Sequence, residues 1–118
     1  MNEFIKKTNN LNYEKLVTEI NNLLLKNKIV LFMKGIKDFP ACGFSSRVVY
    51  ILNQYDVPYI TIDVLNSSVI REGIKKFTNW PTIPQLYINQ KFIGGCDIVS
   101  NMHSNDTLRA QIFNITDL

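Results

Sequence analysis

The sequence predicts an α/β domain in which a four-stranded mixed sheet carries helices on both faces. Two short apolar runs, Ile29–Met33 and residues 57–64, flank a stretch whose apolar residues recur at helical spacing. That order is the pattern of two parallel strands joined by a crossover helix. Two further runs, Gln85–Ile88 and residues 91–93, flank Asn89-Gln90 and read as a hairpin. Helical periodicity before, between and after these runs supplies the covering layers.

The elements follow in order. Residues 1–12 read as a polar, flexible lead-in, rich in Asn and Lys near its start, and residues 13–118 as the domain. Tyr13, Leu16, Val17, Ile20, Leu23 and Leu24 mark one face of a helix that Asn12 can cap. Ile29–Met33 is too short for a helix and reads as a buried strand. Residues 36–41 form a loop leading to Cys42, and Phe44, Val48, Ile51, Leu52 and Tyr55 mark the next helix. Pro58 stands near the beginning of the second strand, where proline is tolerated. Asn66-Ser67-Ser68 offers caps for a helix through Phe77 that turns Ile70, Ile74 and Phe77 inward. Trp80-Pro81 and Ile83-Pro84 make residues 78–84 a loop. In the hairpin, Asn-Gly would be a stronger turn signal than Asn89-Gln90, because the second position favours positive φ. Asp97 can cap a short helix to about Met102, and residues 107–113 suit a terminal helix. The outline is thioredoxin-like.

Composition narrows the function classes. The 118 residues are 46% hydrophobic and 19% charged, an ordinary globular balance. A net charge of +3 without a basic run argues against nucleic acid as partner. No apolar run approaches the ~18 residues of a membrane span, and the N-terminus has neither a secretory h-region nor the arginines of a transit peptide. Two cysteines make no disulfide framework, which fits an intracellular reducing compartment.

One of those cysteines stands where chemistry is favoured. Cys42 follows a strand and a loop and precedes a helix, where unpaired N–H groups and the helix dipole favour thiolate over thiol. Such placement can bring a cysteine pKa from about 8.5 into roughly the 3.5–7.5 range. A redox pair would put a second cysteine three residues on, but that residue is Ser45. Cys42 is therefore a candidate reactive thiol with no local resolving partner.

The order Lys34, Cys42-Gly43-Phe44-Ser45, Trp80-Pro81-Thr82-Ile83-Pro84 and Gly94-Gly95-Cys96-Asp97 resembles the monothiol glutaredoxins of the CGFS type. The resemblance extends from about Tyr13 to Phe113. It implies a bound glutathione whose thiol lies beside Cys42. It places Lys34 against the Cys42 thiolate and the glycyl carboxylate, with Arg71 and Lys75, four apart on one helix face, on that same carboxylate. It implies a cis peptide before Pro84, so that the Ile83 backbone N–H and C=O meet the ligand as an added strand would. The N–H groups of Cys96 and Asp97, opening a helix, suit the γ-glutamyl carboxylate, and the Asp97 side chain its ammonium. Gly94-Gly95 lets the backbone approach the ligand. Trp80 reads as a brace for its loop and His103 as a surface cap. Phe44 can lie exposed beside the site or under its helix.

The same resemblance implies two uses of one thiol. In the first, Cys42 and a glutathione from each of two chains ligate a [2Fe–2S] cluster, giving a cluster-bridged homodimer and an apo monomer. Iron–sulfur acceptor proteins, and a BolA-type protein in place of one subunit, are then the partners. In the second, Cys42 removes glutathione from protein mixed disulfides. The five-residue loop of residues 37–41, shared by CGFS members, implies weak transferase activity, so cluster carriage comes first. A Cys42–Cys96 disulfide is a conceivable side path. A non-catalytic adaptor with Cys42 as a structural thiol is the third reading, while 118 residues leave no room for the second helical domain of a glutathione transferase. Family analogy points to the mitochondrial matrix or a plastid, with the cytoplasm as the alternative.

Overall fold

Strand β1 (Ile29–Met33) is buried along its whole length, and its pleat divides the interior in two. Val30 and Phe32 point to one side, into a cluster with Leu16, Ile20, Ile70 and Ile74. Ile29, Leu31 and Met33 point to the other, among Val48, Ile51, Leu52, Val99 and Leu108. The first cluster lies under helices α2 (Tyr13–Lys26) and α4 (Ser68–Thr78), the second under α3 (Gly43–Asn53), α5 (Cys96–Ser104) and α6 (Thr107–Phe113). Each such buried aliphatic side chain contributes about 1.5–3 kcal/mol, so both layers are held by the alternation of one strand. The computed structural model describes residues 2–115.

The sheet runs β4 (Ile60–Asp63), β1, β5 (Gln85–Ile88), β6 (Lys91–Gly94). β1 pairs in parallel with β4, Phe32 opposite Ile62, and antiparallel with β5, Leu31 opposite Leu86. This is the mixed sheet with helices on both faces that the sequence predicts. The hairpin turn is made by Asn89 (φ 51°) and Gln90 (φ 71°), so glutamine accepts the positive φ that glycine would take more easily. Asn12 and Ser67 cap α2 and α4 as expected, accepting from Lys15 N (3.0 Å) and Ile70 N (3.2 Å).

Three local expectations need correction. Residues 2–8, read as part of a lead-in, form helix α1 (Asn2–Thr8), whose Phe4 joins the first cluster at 7% exposure. Thr8 there is fully buried, with its hydroxyl satisfied by donating to Phe4 O (2.7 Å). The loop before Cys42 contains a two-stranded ribbon, β2 (Gly35–Ile36) with β3 (Phe39–Pro40). His103 is no surface cap: its Nδ1 lies 2.6 Å from the Tyr55 hydroxyl, tying α5 to the end of α3. Of the residues assigned to the domain, 116–118 lie outside the described ones.

Candidate active site

The β2–β3 ribbon sets the approach to Cys42. Gly35 has φ +90°, and a Cβ there would stand 2.7 Å from Phe39 O, so only glycine allows the reversal. The Ala41 N–H donates back to Lys34 O (2.9 Å), and Gly35 N donates to Asp63 Oδ1 (2.9 Å). At the ribbon tip Lys37 Nζ lies 4.1 Å over the Tyr59 ring. The chain then delivers Cys42 in extended conformation to the N-cap of α3, where Sγ accepts from Ser45 N (3.4 Å).

Ser45 is fully buried beneath the sulfur. Its Oγ accepts from Lys34 N (3.1 Å) and from the Cys42 thiol (3.4 Å), and once that thiol ionises the same hydroxyl is within reach to donate to the thiolate. Burial alone would raise the Cys42 thiol. The Ser45 hydroxyl, the backbone N–H groups of Ser45 and Phe44, and the Lys34 charge outweigh it and hold the thiol below the ordinary cysteine value. Phe44 is exposed, as are Ile36 and Phe39 on the ribbon.

The opposite wall is built on the core. The Ile83–Pro84 peptide is cis. Gln85, fully buried at the start of β5, donates through Nε2 to Trp80 O (3.1 Å) and lies 3.3 Å from Thr82 O. Its Oε1 accepts from the Tyr87 hydroxyl (3.0 Å). The Thr78 hydroxyl donates to Ile74 O (2.8 Å) and accepts from Trp80 N (3.2 Å), fastening the loop to the end of α4. Trp80 packs on Phe92, centroids 5.6 Å apart, and so braces the loop as expected. The double glycine closes against it: a Cβ on Gly95 would stand 3.3 Å from Pro84 O and 3.4 Å from Trp80 Nε1.

Between the two walls lies a cleft of about 670 Å³. Lys34, Arg71, Lys75, Ile83, Cys96 and Asp97 all line it, with Phe44 and Trp80. Cys42 does not itself line it; it sits two residues from Phe44, close enough to feel the charge of Lys34. Three cations line it, and so does the start of α5, where the first N–H groups of a helix have no partner within it. Asp97 departs from one expectation. Gly95 is the N-cap of α5, which puts Asp97 in the first turn with its exposed carboxylate making no cap bond. Glu72 Oε2 lies 3.4 Å from Lys75 Nζ and 3.6 Å from Arg71 Nε.

The glutaredoxin family model matches residues 29–93, from β1 into β6. A probable monothiol glutaredoxin of Rickettsia typhi is 52% identical over 99 residues, covering 84% of this chain and 89% of that protein. The chain belongs to the monothiol glutaredoxins. Solved structures of other glutaredoxins agree in fold. Reduced poplar apo GrxS14 superposes with a TM-score of 0.76 at 42% identity, over 84% of this chain and 91% of that one. Buckwheat glutaredoxin, solved as a complex with glutathione, gives 0.76 at 28% identity over 86% and 91%.

Two residues of this glutaredoxin escaped the sequence reading. Ser45 was legible only as a missing cysteine, although a hydroxyl three residues beyond an N-cap is well placed to meet it. Gln85 carries a clearer signal. A long amide in a run otherwise apolar, Gln85–Ile88, must find partners for both its ends if it is buried.

Proposed function

We propose that this monothiol glutaredoxin binds glutathione in the cleft and carries a [2Fe–2S] cluster between two copies of the chain. The observation that carries the reading is the convergence of Lys34, Arg71, Lys75, Ile83, Cys96 and Asp97 on one cleft beside a thiol of lowered pKa. Glutathione has a glycyl carboxylate suited to the three cations. Its γ-glutamyl carboxylate suits the N–H groups of Cys96 and Asp97, its ammonium the Asp97 carboxylate, and its peptide the backbone of Ile83. The glutathione complex of the buckwheat protein supports this assignment.

The donor set also suits a shared cargo. A [2Fe–2S] cluster takes four thiolates. Among the described residues no three His, Cys, Asp or Glu side chains gather to hold a metal, and Cys42 has no cysteine three residues on. In this reading Cys42 gives one thiolate, a bound glutathione the second, and another copy of the chain with its glutathione the remaining two. The holo form is then a dimer and the apo form a monomer, delivering to iron–sulfur acceptor proteins or pairing with a BolA-type protein. Two free cysteines suit an intracellular reducing compartment, organellar or cytoplasmic. Among the described residues no helix is long and apolar enough to cross a membrane.

The accessible Cys42 thiol also favours a second reading. Its thiolate attacks the glutathionyl sulfur of a protein mixed disulfide, releasing the protein thiolate and leaving Cys42 disulfide-bonded to glutathione. A second glutathione thiolate then attacks that bond, returning Cys42 and forming oxidised glutathione. Anaerobic reconstitution with iron, sulfide and glutathione separates the two. Visible charge-transfer bands in a dimer that needs glutathione support carriage. A colourless monomer that turns over a glutathionylated peptide makes deglutathionylation the primary activity.

A further inference from the structure

We infer that Glu72 is an internal competitor for the ligand's carboxylate, engaging Arg71 and Lys75 from the solvent side until an anion in the cleft draws them away. The inference rests on reading the cleft as a glutathione site. Arg71 and Lys75 stand four apart on α4 and both line the cleft, whereas Glu72 between them does not. The same oxygen, Glu72 Oε2, is 3.4 Å from Lys75 Nζ and 3.6 Å from Arg71 Nε. The two cations have side chains 30% and 36% exposed, against 69% for Glu72. They therefore face two carboxylates, one fixed to the helix and one brought by the ligand.

A charge that is already paired gives less to a newcomer. The incoming glycyl carboxylate must share the cations with Glu72 or displace it, and the fixed carboxylate repels it meanwhile. Exposed pairs at these distances are individually weak, so the competition is worth a small factor in affinity, and salt screens it. The effect is selective as well. A ligand whose glycyl carboxylate is capped as an amide makes no claim on the two cations and meets no competition.

The test is calorimetric titration of the full chain with glutathione and with glutathione glycyl amide, in low salt. Glu72→Gln keeps the side-chain shape and removes the charge. It is expected to tighten glutathione roughly two- to five-fold, leave the amide unchanged, and lose its effect in high salt. In a Lys75→Met background the gain should shrink, because half of the pairing is gone. No tightening, equal tightening of both ligands, or a gain undiminished by Lys75→Met overturns the inference. Wild-type protein that binds no glutathione overturns the glutathione reading itself, a result the variant series cannot mimic.

Discussion

The two walls of the cleft are built by different means. The wall from Trp80 to Asp97 stands on the core: buried Gln85 gathers the loop carbonyls, Tyr87 holds Gln85, and Trp80 rests on Phe92. The wall from Lys34 to Ser45 is a two-stranded ribbon with exposed Ile36 and Phe39, and its fastenings are mostly main-chain bonds, one aspartate and one serine. The first can hold a ligand in fixed register. The second leaves a sulfur accessible and a surface open around it. Binding geometry and thiol chemistry thereby fall mostly to different walls, with Lys34 serving both, and substitutions on the two sides should fail differently.

The largest effect expected is on the thiol side. Cys42→Ser should abolish the cluster, read as complete loss of visible absorbance and of bound iron after reconstitution, while Cys96→Ser should lose little. A cluster retained without Cys42 would break the division, because the sulfur would then have no assigned work.

Gln85→Leu addresses the opposite wall. It leaves the buried Tyr87 hydroxyl without its acceptor, at about 1–3 kcal/mol, and the half-buried Trp80 O without its amide donor, at less. Urea unfolding should show a loss of that order, and glutathione affinity should fall with it. Cys42 alkylation in the folded protein should stay near wild type. Thiol reactivity that changed as much as affinity would mean that the walls are coupled.

Lys34→Ala should weaken glutathione by roughly 1.5–3 kcal/mol, the worth of one charge-assisted contact, measurable by calorimetry. Unchanged affinity would remove Lys34 from the binding site and leave it only its effect on the thiolate.

The smallest effect belongs to Ser45→Ala, and it concerns pH. Because the Cys42 pKa is lowered, the thiolate persists below the ordinary thiol range, and alkylation slows only as pH falls through the lowered value. By the same linkage the thiolate stabilises the fold above the unfolded thiol pKa, and that contribution is lost as pH falls through the folded one. Ser45→Ala removes the hydroxyl that favours the thiolate, so the midpoint of the alkylation-rate profile should move up. A midpoint that stays in place would assign the depression to the helix start and Lys34 alone.

The fold was largely legible because its periodicities are strong. Residues 29–33 are all apolar and proved buried on both faces, and of the 13, 16, 17, 20, 23, 24 face of α2, Leu16, Ile20, Leu23 and Leu24 proved buried while Tyr13 and Val17 are half-buried. Helix α1 was not, because seven residues with Phe4 and Thr8 as their buried positions make too short a stripe among Asn and Lys. The cleft residues came from the family motifs and do line one cavity. The parts that were missed act through hydrogen bonds rather than through periodicity. Ser45 and Gln85 are each polar and fully enclosed, and a pattern of apolar spacing cannot register either.

Trp80 is the chain's single tryptophan, and it stands in the wall of the cleft with its indole nitrogen buried and unpaired among the described residues. All indole fluorescence of this protein therefore comes from one place, the place a ligand would enter. A ligand seated in the cleft would adjoin that indole, so emission is the natural channel in which to look for binding without attaching any dye near the sulfur.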